Sequence, residues 1–133
     1  MAYATRTKVD AAKTRLEIEK LLQKAGATTI GVMMHASMAI VVFEANDRRL
    51  RFTMPLDERT DAKGVQARRS QWRALMLCIK AKLESVASGI ETFEEAFLAH
   101  VVVNDGMTVY EHVRPKLVQI AKTGEMVPLL PAS

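Results

Sequence analysis

Six arginines carry the most distinctive chemistry in this chain: Arg48, Arg49 and Arg51 on one short stretch, then Arg68, Arg69 and Arg73 on another, with Lys63 between. A guanidinium is planar and presents paired donors, which suits it to the two oxygens of a phosphate or a carboxylate. Arginines grouped this way point to a polyanion gripped by its backbone, a contact that ignores base sequence and weakens with salt. A net charge of +4 permits such a partner without requiring it. Salt bridges to Asp57, Glu58 and Asp61, or an acidic protein partner, would use the same residues equally well.

Other chemistries find less support. His35, His100 and His112 lack metal-ligand spacing, and no Cys-x-x-Cys or His-x-x-x-His occurs. His100 and His112 end one predicted helix and sit in the next, beside Glu111, where capping and turn contacts explain them better than acid–base work. Cys78 falls in an apolar helical stretch, which predicts a buried filler rather than a nucleophile. The six glycines are scattered, so no loop cradles a phosphate. Met33, Met34 and Met38 suit either core filling or an adaptable surface. No catalytic constellation, cofactor site or metal site is expected, and a non-enzymatic role is favoured.

The element that must position the second arginine group spans residues 65–89. Trp72, Leu75, Met76, Ile79, Leu83 and Val86 fall on one stripe at 3.6 residues per turn, with Gly89 as the stop. Arg69, Arg73 and Lys80 form an edge beside that stripe. Leu77 and Cys78 make the middle apolar almost all round, which predicts cover on two sides.

The first arginine group sits on a predicted meander. Strands are expected over 29–34, 37–45 and 48–54, with turns near His35 and at Asn46-Asp47. That second turn sets a register: Ala45 opposite Arg48, Phe43 opposite Leu50, Val41 opposite Phe52. Val41, Phe43, Leu50, Phe52 and Met54 then face the core. Ile40, Val42 and Glu44 oppose Thr53, Arg51 and Arg49 on a mixed outer face.

Around these lie an N-terminal helix over 8–25, with Val9, Ala12, Leu16 and Leu22 inward, and a charged loop over 56–64, the expected mobile segment. Capping boxes at Thr92 and Thr108 open two shorter helices, the second interrupted by Pro115. Residues 126–131 read as an apolar tail laid onto the body. The expected architecture is one α+β domain over 1–133: N-terminal helix, three-stranded antiparallel meander, long central helix, shorter C-terminal helices and an extended tail. Half the residues are hydrophobic and 26% charged, and no apolar run approaches the ~20 residues of a membrane span. With one cysteine and no secretory segment, a cytoplasmic setting without membrane contact is expected.

The pattern Gln71-Trp72-Arg73-Ala74-Leu75 with Ile79-Lys80-Ala81-Lys82-Leu83-Glu84 resembles a group of short, largely uncharacterised bacteriophage and prophage proteins. Phe93-Glu94-Glu95, Phe97-Leu98-Ala99-His100, Leu129-Leu130-Pro131 and Lys13-Thr14-Arg15 with Glu17 extend the resemblance over most of the chain. It implies a viral or prophage source, hence the host cytoplasm, and no particular activity. The order of three strands and a long helix is also similar, in topology alone, to phage single-strand annealing proteins, which hold DNA between hairpin and helix. The expected function is non-enzymatic, sequence-independent nucleic-acid binding through Arg48, Arg49, Arg51, Arg68, Arg69 and Arg73, in recombination or replication. The alternative is a protein-interaction or self-associating module, such as an inhibitor of a host defence protein or an assembly component.

Overall fold

A computed structural model describes residues 2–35 and 37–131, with side chains from residue 11 onward. Its order is α1 (Ala2–Lys24), β1 (Thr29–His35), β2 (Met38–Ala45), β3 (Arg48–Pro55), α2 (Ala62–Ala87), α3 (Phe93–Phe97), a 3-10 turn (Leu98–His100) and α4 (Val109–Thr123). The fold is α+β, as expected. No helix among the described residues is long and apolar enough to cross a membrane.

The strands form one antiparallel sheet in the order β1-β2-β3. Asn46 and Asp47 both take left-handed φ, 52° and 59°, the pair of values that a two-residue type I′ turn needs. That turn fixes the predicted register, including Phe43↔Leu50 and Val41↔Phe52. The core face is Ala39, Val41, Phe43, Ala45, Leu50 and Phe52, all buried. Phe97 of α3 meets both Phe43 and Phe52 edge-on, at 6.1 and 6.2 Å between ring centres, and stacks on Phe93 at 4.7 Å. Edge-to-face packing of this kind favours the core beyond its buried area.

α2 closes the same core with Trp72, Leu75, Met76 and Ile79 buried and Leu83 and Val86 packed beside them. α1 lies alongside α2. Lys13 and Glu17 share a groove with Arg69 and Arg73, while Lys24 and Ala25 sit with Leu83 and Val86, so the two helices run parallel.

Several local expectations change. α1 buries Ile18 and Leu22, with Ala11 and Leu21 beside them, whereas Leu16 is 49% exposed and Ala12 is exposed too. Leu16 and Leu22 are six residues apart and cannot share a face; Ile18 and Leu22 are one turn apart and do. Val9 lies outside the described side chains. Cys78 and Leu77 are exposed, because α1, α3 and the sheet cover α2 on one side only. α4 continues through Pro115 without restarting. The tail is not laid down: Met126 is 79% exposed, and Leu129 and Leu130 are exposed as well.

The charged loop is pinned rather than mobile. Its Asp57 carboxylate chelates the Arg59 guanidinium, and the Asp57 N–H donates to Gln71 at 3.0 Å. Asp61 caps α2 by accepting from the Gly64 N–H at 2.9 Å. Beyond α3, the chain folds back on the outer edge of β3. The Val102 N–H donates to the Arg49 carbonyl at 2.8 Å, and Val101 bridges to Leu50. A small hairpin turning at Gly106 (φ 83°) then leads into α4.

Candidate nucleic-acid interface

The six predicted arginines fall into three situations. Arg51 and Arg68 hold the fold. Arg51 donates to the Gly106 carbonyl at 2.8 Å and pairs with the Glu111 carboxylate, fastening the 101–109 hairpin and the first turn of α4 to β3. Arg68 donates to the carbonyls of Asp57 and Arg59 at 2.9 and 2.6 Å, fastening the charged loop to α2. Glu111, tied to Thr108 and Arg51, has its pKa lowered; Asp57 is held down at about 2 by Arg59.

Arg48 and Arg49 stand at the β2–β3 turn, each near a surface carboxylate: Glu94 at 4.0 Å and Glu44 at 3.6 Å. Exposed pairs of this kind are weak and exchange freely. Both arginines line a cleft of about 600 Å³ that also holds Glu44 and Asp47, so its charge is nearly balanced.

Arg69 and Arg73 lie elsewhere. The β2–β3 turn is at the far end of α2, where Asn46 shares a cavity with Leu83, Glu84 and Val86. From Arg73 to Leu83 the helix axis advances roughly 15 Å at 1.5 Å per residue. The structure therefore does not gather the six arginines on one rim.

It gathers a different set. Arg69 and Arg73 face Lys13 across the α1–α2 groove, with Thr14, Gln66 and Ser70 between. The groove continues past Arg73 to Lys20, Lys24 and Lys80. Lys13, Lys20 and Lys24 recur at i, i+7 and i+11 on α1; Arg69, Arg73 and Lys80 recur at i, i+4 and i+11 on α2. Parallel helices place these two rows side by side for roughly 16 Å. Among the described residues, Glu17 lies within this stretch and Glu84 borders its end at Lys24 and Lys80. The α1 lysines are legible in sequence, but the face they share with α2 comes only from the packing of the two helices. Arg15, nearby, stacks over Trp72 at 5.7 Å and belongs to the packing.

Two of the histidines make contacts within the fold. His100 stacks face-on against Phe52, 3.8 Å between ring centres, and burial with the nearby Lys82 charge pushes its pKa down. His112 Nε2 lies 2.7 Å from Asp105 Oδ2 but out of line for a hydrogen bond. Asp105 accepts from the Met107 N–H, which with His112 lowers its pKa. Among the described residues, no three His, Cys, Asp or Glu side chains group as metal ligands. Comparison of the chain with protein-family models, curated proteins and solved structures gives no match, so its chemistry is read from this geometry alone.

Proposed function

We propose that this chain binds nucleic acid through the phosphate backbone, along the groove between α1 and α2. One observation carries the reading: Lys13, Lys20, Lys24, Arg69, Arg73 and Lys80 line both banks, and the acids of the described residues there are Glu17 among them and Glu84 beside the end at Lys24 and Lys80. A track of roughly 16 Å is long enough to touch several backbone phosphates. Among the described residues no aromatic ring lines the groove, and Trp72 is buried, so these residues offer bases no surface to stack on. Recognition is then electrostatic and independent of base sequence. Arg69 and Arg73 remain from the set expected on sequence; Arg48 and Arg49 form a separate patch, and Arg51 and Arg68 serve the fold. A phage source and a role in recombination or replication belong to this proposal.

The test is binding to a short DNA duplex across a salt series. Each exposed cation removed, Arg73→Ala or Lys80→Ala, should weaken binding at low salt and reduce the logarithmic salt slope by about one. Arg48→Ala should leave both unchanged. Binding that lacks a salt slope, or that survives loss of the groove cations, would sink the reading.

A protein-interaction role has its own supporting observation. The outer sheet face carries a hollow of about 510 Å³ lined by Met33, Ile40, Val42 and Val102 with Arg49 and Arg51 at its side. A protein partner with apolar and acidic groups would fit that surface.

A further inference from the structure

We propose that β1 pairs through its free edge with β1 of a second copy, joining two sheets into one six-stranded antiparallel sheet across a two-fold axis.

The two edges of the sheet are treated differently. Residues 101–103 cover the β3 edge by hydrogen bonding to Arg49 and bridging Leu50. The β1 edge has no strand partner among the described residues. An uncovered edge presents a row of backbone donors and acceptors, and chains that stay single usually blunt it with proline, charge or a bulge. β1 reads Thr-Ile-Gly-Val-Met-Met-His, without proline or formal charge, and it pairs with β2 over its whole length without a bulge. The chemistry that satisfies such an edge is another strand.

The side chains argue that this strand is β1 itself. Antiparallel pairing centred on Val32 puts Ile30 opposite Met34 and Gly31 opposite Met33. On the outer face, each Met33 then lies over the partner's Gly31, where no side chain competes for the space. On the inner face, each Met34 covers the partner's Ile30. Met33 and Met34 are 50% and 52% exposed in the single chain, so both are free to make these contacts. No like charges meet anywhere along the pairing. A two-fold interface needs this kind of self-complementary patch.

Centred on Val32, the two Met33 side chains also stand diagonally across the axis on one face, within reach of long side chains. That supplies the experiment, done in DNA-free buffer so that the basic groove plays no part. Light scattering and sedimentation of the wild-type chain from low to high micromolar should give twice the 14.8 kDa chain mass. Met33→Lys and Met33→Glu should each be monomeric with an unchanged circular dichroism spectrum, since Met33 leaves the core untouched. A one-to-one mixture of the two variants should restore the dimer mass. A monomeric wild type, which would leave the edge to a strand of some other protein, overturns the proposal. So do single variants that remain dimeric, or a mixture that stays monomeric.

Discussion

Arg51 and Arg73 have the same chemistry and different occupations. Arg51 has its side chain 25% exposed, with both ends of its fork engaged by Gly106 and Glu111. Arg73 is exposed at the groove. Hydrogen bonds to charged groups contribute a net of about 1.5–3 kcal/mol each, and the partial exposure here argues for the low end or below. Arg51→Ala should therefore cost about 1–2 kcal/mol, read as a lower urea midpoint with an unchanged slope. Arg73→Ala should stay within about 0.5 kcal/mol of wild type. Nothing in the local sequence separates these two residues. Arg51 acquires its partners from 55 and 60 residues away, and that distance is why the sequence exposed the arginines but not their division of labour.

At the scale of elements, legibility followed how local the cause was. The β2–β3 register could be read because Asn46-Asp47 and the two-residue alternation act within a few residues. The α2 stripe could be read because Trp72 to Val86 repeats over four turns. α1 was harder: its many alanines and charges leave several candidate faces, and only packing on the sheet selects Ile18 and Leu22. The charged loop was misread because its order comes from Arg68 and Gln71, which lie beyond it. Gly64 shows the same hidden closeness. A Cβ there would stand 2.1 Å from the Arg59 carbonyl oxygen, which Arg68 already holds in place. Alanine gains about 1 kcal/mol over glycine in a helix interior. Displacing a tethered backbone carbonyl costs more, so Gly64→Ala should lower stability by a net amount on the order of 2 kcal/mol, seen as a fall in melting temperature.

For the whole molecule, the altered pKa values that matter below neutrality, those of His100, Asp57, Asp105 and Glu111, act in one direction. His100 is buried and resists protonation, so below its ordinary value of 6.5 the unfolded chain takes up a proton more readily than the folded one. Asp105 and Glu111 have lowered folded values, and Asp57 falls from 3.8 to about 2. Their stabilising contributions are present above the unfolded values and disappear as pH falls through the folded ones. Stability should thus be flat above neutrality, decline gently below pH 6.5, and decline steeply below the ordinary glutamate value of 4.5. Chemical denaturation at a series of pH values checks this, and His100→Gln should remove the first decline while leaving the second. The parallel pairing of α1 with α2 has a consequence of another kind. The meander separates these helices in the chain, so bringing the two banks of the groove together carries a loop-closure cost that the folded strands reduce. The hairpins join near neighbours, whereas the groove joins helices far apart in the chain. A polyanion seated there would favour states in which both helices are docked over the unfolded chain, and its occupancy would strengthen the fold by mass action.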